Sequence, residues 1–145
     1  TRLVRGKTDV VMMLNGALGG LVAITAEPLM PTPLMAIIIG GIGGALVFAG
    51  TELLTAMKID DVVGAIPVHL IAGVWGTLAV PITNPDTSFG TQFLGTASIC
   101  VFVFVVSIII WGIMKATIGI RISEEAEKEG TDVAETGVIA YSIRD

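Results

Sequence analysis

The sequence predicts an all-α fold, a polytopic bundle of transmembrane helices followed by a short cytoplasmic tail. Three observations carry that expectation. Residues 10–26, 28–51, 62–85 and 87–114 contain no Asp, Glu, Lys or Arg, and a spanning helix needs about 17–25 mostly apolar residues to cross the hydrocarbon core. The basic residues fall only in alternate connecting segments. Beyond residue 120 the apolar character stops, and residues 121–145 hold seven acidic and three basic side chains. The 145 residues are 53% hydrophobic and 14% charged, with a mean hydropathy of +0.87, whereas globular domains carry roughly 25% charged residues. Those proportions exclude a disordered chain, and one cysteine, Cys100, excludes a disulfide scaffold. An isoelectric point near 4.7 leaves no basic face for nucleic acid. With Thr1 in place of an initiating methionine and no signal-peptide pattern, the chain reads as a piece of a larger membrane protein.

Taken in order, the first span is expected at residues 10–26, closed by Glu27-Pro28 and by Pro31-Thr32-Pro33. The second runs over 34–57, with Glu52 near its end, placed to snorkel or to pair with Lys58. A short polar turn at 58–61 then makes a tight hairpin into the third span, 62–81. Asn84-Pro85-Asp86 breaks the chain before the fourth, 93–118. Gly16 with Gly20, and Gly40 with Gly44, are small-residue pairs that report close helix packing, and Asn15 is placed to bond a neighbouring helix. Residues 1–120 thus form the membrane part and 121–145 the tail. In the tail, Ser123 caps a short helix with Glu124 and Glu125 in its first turn. Glu124 and Lys128 form an i,i+4 pair and Gly130 is the stop. The tail is either a solvated segment or a docking segment for a cytoplasmic partner.

Orientation follows from charge. Arg2, Arg5 and Lys7 precede the first span, Lys58 separates the second and third, and Lys115, Arg121, Lys128 and Arg144 lie at or beyond the end of the fourth. These are all eight Lys and Arg of the chain, and all fall on one side of a four-span topology. The loops around 27–33 and 82–92 have none, so the positive-inside rule assigns both ends of the chain to the cytoplasm.

A polar side chain within a span is costly unless it faces protein or a water-filled path. His69, the single histidine, lies near the middle of the third span, with Ala65, Ile66, Ala72, Gly73 and then Gly76 on the neighbouring turns. That stripe is mostly small, so another helix or a narrow lumen can come close to the ring. Pro67 removes an amide and leaves the Val63 carbonyl without its helical partner, so a local kink is expected beside the imidazole. Imidazole can donate and accept at once, which suits a proton- or cation-related path, though hydrogen bonding to a neighbouring helix is the competing role. One histidine cannot build a metal site, no serine or cysteine forms a nucleophilic constellation with it, and no cofactor is expected. Trp75 deep in the same span is a second candidate for a cavity wall, whereas Trp111 reads as an interfacial anchor.

Residues 60–80, from Asp60-Asp61 through Pro67 and His69 to Trp75 and Val80, resemble the second histidine-bearing helix of the ammonium transporter (Amt/Mep/Rh) family. Residues 15–26 resemble the helix two spans earlier, and residues 119–132 resemble the family's cytoplasmic tail. The resemblance implies the last four helices of an eleven-helix fold. It implies a homotrimer in the cell membrane with one pore per protomer, passing ammonium/ammonia and performing no enzymatic step. It makes His69 the second of two hydrogen-bonded pore histidines, with Gly73 and Trp75 along the substrate path and Asp61 and Pro67 at the start of the pore helix. The tail residues Gly130, Asp132 and Tyr141 would then serve regulation by a PII-type protein. Thr136 and Val138 depart from the histidine and glutamate common there. The alternative within the same fold is an ammonium sensor or scaffold that signals through its tail.

Overall fold

The helices begin where the sequence offers a cap. In the computed structural model of the chain, which describes residues 6–139, the Asp9 carboxylate accepts from the Met12 amide at 3.0 Å and opens α1 (Val10–Ile24). α1 ends two residues before the expected limit because the Thr25 hydroxyl turns back onto the Val22 carbonyl, 2.7 Å away. Glu27, ahead of Pro28, is then disfavoured in a helix. Thr32 accepts from the Met35 amide at 3.3 Å and opens α2 (Pro33–Ala56), whose first-turn proline lacks only an N–H that would have had no helical acceptor.

The third helical segment differs most from expectation. It covers Ile66–Thr83, as a π-helical turn, Ile66–Ile71, that runs directly into α3 (Ala72–Thr83). Val62 and Val63, expected in the helix, lie in a turn, because Lys58 and Gly64 adopt positive φ of 57° and 76° and lengthen the connection. α4 (Phe89–Thr117) starts four residues before the expected 93, since the Ser88 hydroxyl accepts from the Thr91 amide at 3.2 Å. Pro33–Ala56, Ile66–Thr83 and Phe89–Thr117 are long and apolar enough to cross a membrane, while Val10–Ile24 is apolar but shorter. At 1.5 Å per residue, α1 is about 22 Å long.

The chain divides into two units, Thr1–Cys100 and Val101–Asp145. In the first, α1 and α2 pack antiparallel along the glycine pairs. A Cβ on Gly44 would stand 2.9 Å from the Gly16 carbonyl oxygen, and one on Gly20 would stand 3.1 Å from that of Gly40. Apolar lipid supplies no hydrophobic drive between helices, so this backbone contact and its dispersion energy hold the pair. Every third or fourth residue of α2 is buried, at Ile39, Gly43, Val47 and Gly50. The third segment answers with Val68, Ala72, Gly76 and Ala79. The core gathers in two clusters, Ala23 with Ile39 and Ala79, and Val47 with Val68 and Ala72.

The second unit contains the later part of α4 and the tail. Ser123 Oγ accepts from the Ala126 amide at 3.2 Å and opens α5 (Glu124–Glu129), with Glu124, Glu125 and Glu127 in its first turn. Gly130, at φ 104°, ends it. A π-helical turn, Asp132–Thr136, follows and closes on left-handed Gly137, with the Thr136 hydroxyl donating to the Asp132 carbonyl. Tyr141, Arg2, Arg5 and Arg144 lie outside the described residues.

Candidate functional site

The turn that carries His69 has a fully accounted start. Gly64 N–H donates to the Asp61 carbonyl at 3.3 Å. The Ala65 and Ile66 amides donate to the two Asp61 carboxylate oxygens, each at 2.8 Å. Residue 67 is proline and has no N–H, and the Val68 amide donates to the Gly64 carbonyl at 3.1 Å. Asp61 is therefore a helix cap whose oxygens already hold two backbone donors, suited to the positive end of the helix. The Val63 carbonyl, in the turn ahead of the helix, accepts from Asn15 Nδ2 of α1 at 2.9 Å. Gly64 stands between these groups: its φ of 76° favours glycine, and a Cβ there would sit 2.5 Å from Asn15 Nδ2.

After the proline the turn takes the π form, in which the Ala72 amide reaches back to the Pro67 carbonyl. Single π turns of this kind are frequent at functional positions. Pro67 and Val68 are buried toward α2, where Gly50 leaves room for Pro67 and Ile71. His69 is turned away from that packing and is exposed.

His69 and Gly73 line a cleft of about 300 Å³, with Thr77 one turn on and Gln92, Thr96 and Cys100 from the first part of α4 opposite. Its walls are mostly apolar, and no carboxylate is among its lining residues. The Thr77 hydroxyl is spent on the Gly73 carbonyl at 3.0 Å. Thr96 Oγ1 is buried with no hydrogen-bond partner among the described residues. Such a surface offers an imidazole and a few hydroxyls to a small neutral solute, and no fixed charge to hold a hydrated ion.

The sequence-derived candidates separate here. His69 and Gly73 come together on the cleft. Ala72 and Gly76, expected on the same stripe, are buried on the opposite side, and Gly76 lies directly against the Ala23 carbonyl. Trp75 does not line the cleft: its indole N–H donates to the Ile39 carbonyl at 3.0 Å and its ring packs on the Ala23–Ile39–Ala79 cluster. Asp61 and Pro67 shape the start of the segment. Gly130 and Asp132 lie in the tail, in the other unit. Gln92, Thr96 and Cys100 were missed, although their four-residue spacing on one helical face was visible in the sequence. Among the described residues no group of three or more His, Cys, Asp or Glu could hold a metal ion.

The sequence profile of the Ammonium Transporter Family matches residues 1–141. The chain is similar to ammonium transporter Amt2 of Archaeoglobus fulgidus, at 36% identity over 97% of this chain and 34% of that protein. It is similar to ammonium transporter Amt1 of Haloferax mediterranei, at 35% identity over 94% of this chain and 28% of that protein. With the ammonium transporter of Bacillus subtilis it shares 35% identity over 96% of this chain and 38% of that protein. The chain thus spans about a third of the length of the curated relatives it matches.

Proposed function

From the premise that the chain belongs to the ammonium transporter family, we propose that it supplies the last four helices and the tail of an eleven-helix transporter for ammonium/ammonia. His69 carries this reading: a lone imidazole on a π turn, beside Gly73, facing a largely apolar cleft in a chain with three helices long and apolar enough to cross a membrane and a fourth, shorter apolar one. A charged ammonium ion is costly in such surroundings, so it sheds water and its proton at entry, and NH3 passes the ring. His69 acts as one of two paired histidines, its nitrogens donating and accepting to keep the row of solutes in line. Gly73 keeps the path open, and Trp75, tied to α2, backs the helix from behind.

The same reading takes both ends of the chain as cytoplasmic, the assembly as a homotrimer in the cell membrane, and the tail as a surface for a PII-type regulator through Gly130, Asp132 and Tyr141. The one-sided distribution of Lys and Arg supports the orientation.

The test is ammonium flux through the complete transporter in proteoliposomes. His69→Ala is expected to abolish conduction or change its selectivity while the oligomer elutes from gel filtration unchanged. Wild-type flux and selectivity in that variant would refute the pore role. The 145-residue chain alone is expected to pass no ammonium, because most of the path's wall is absent. A complete protein that binds ammonium and passes none would instead be the sensor of the same fold.

A further inference from the structure

We infer that Asn15 is a positioning residue for His69, setting from α1 the register of the π turn that carries the imidazole; the inference rests on the pore reading above. The bond from Asn15 Nδ2 to the Val63 carbonyl joins residues 48 apart in sequence. The chemistry fixes its direction, since a carbonyl only accepts and the amide nitrogen must face it. The acceptor is free because Val63 lies in a turn ahead of the helix, where the left-handed φ of Gly64 takes its carbonyl out of the helical ladder; the first helical carbonyl, accepting from the Val68 amide, is that of Gly64.

The amides of residues 64, 65, 66 and 68 are engaged locally, by Asp61 or by Gly64. The Val63 carbonyl is the handle by which α1 holds the start of the segment, as Trp75 ties its later part to α2. Gly64 completes the device: a side chain there would collide with the Asn15 amide. Asn15 and Gly64 thus make a single interlock between α1 and the start of the π turn. His69 stands six positions after the held carbonyl, on the widened turn itself. Freed from Asn15, the segment can rotate, and the ring moves relative to the cleft that Gly73 shares with it.

The test measures uptake of ammonium and of the larger methylammonium by the complete transporter in proteoliposomes. Asn15→Asp keeps the shape of the side chain but sets an oxygen against the Val63 carbonyl, and is expected to shift the ammonium-to-methylammonium ratio by about tenfold. Gly64→Ala pushes the Asn15 amide off the Val63 carbonyl from the other side; it is expected to shift the ratio in the same direction, and combined with Asn15→Asp to add less than about twofold to the single variant's shift. Where Asn15→Asp does not reach the membrane, Asn15→Ser, too short to span the gap, carries the same expectation. A wild-type ratio in the Asn15 variant overturns the inference, and so does a double variant whose shift is the full product of the two single shifts. His69→Ala in parallel separates the two levels. If it is silent, the pore reading itself fails. If it changes the ratio while Asn15→Asp does not, only the positioning role falls.

Discussion

At the scale of single residues, the glycines of this chain do different work. Gly64 holds φ 76° with the Asn15 amide pressed against its open side. Gly41, in α2, has nothing within 4 Å of where a Cβ would be. Gly64→Ala is therefore expected to lose about 1–3 kcal/mol through backbone strain and displacement of Asn15. Gly41→Ala is expected to gain up to about 1 kcal/mol from helix propensity. Thermal unfolding of the detergent-solubilised transporter distinguishes them, with the transition falling in the first variant and holding or rising in the second. Of these roles, the sequence made Asn15 legible as a residue that bonds another helix. Its partner was not legible, because the Val63 carbonyl stands clear of the helix only through the left-handed residue 64, which leaves no periodic trace. His69 was legible from its rarity in an apolar run. Gln92, Thr96 and Cys100 share a helical face at four-residue spacing, but nothing in the sequence marks that face as the one a cleft runs along.

At the scale of elements, the spans followed from where charge is absent, and their ends followed from side chains to which hydropathy is blind. α4 starts at Phe89 because of Ser88, and the third segment starts at Ile66 because the Asp61 carboxylate holds two amides. Asp61→Ala is expected to cost about 1–2 kcal/mol of stability by freeing those donors. The same unfolding measurement reads it, and Asp61→Asn is expected to fall between, since one amide oxygen can replace only one of the two acceptors. The α1–α2 pair offers a second test. Gly44→Leu would drive a branched side chain into the Gly16 carbonyl, 2.9 Å from the ideal Cβ, and is expected to cost about 1–3 kcal/mol by overpacking. Helix existence was thus readable from long uncharged runs, whereas helix limits and the π turn depended on individual hydrogen bonds.

At the scale of the whole molecule, the surface is that of a protein whose solvent is lipid. No residue of α4 is buried, and Phe102 and Phe104 are 68% and 67% exposed. Those faces need an apolar medium or further helices around them. The proposed orientation predicts that a reporter active only in the cytoplasm will work when fused after residue 145 or inserted at 58–61, and will be silent when inserted at 27–33. A working reporter in the 27–33 loop would reverse the topology. The widened turn at Ile66–Ile71 has one more consequence, for how such a gene tolerates change. A π turn holds one residue more than the α-helix it interrupts, so removing a single codon from it would leave a continuous α-helix. Everything downstream would keep its register with what precedes it, because the wide turn takes up the extra residue. Unless the lost residue is His69, the imidazole and Gly73 would stay three or four positions apart on one face, so a one-residue loss is expected to be better tolerated here than elsewhere in the segment.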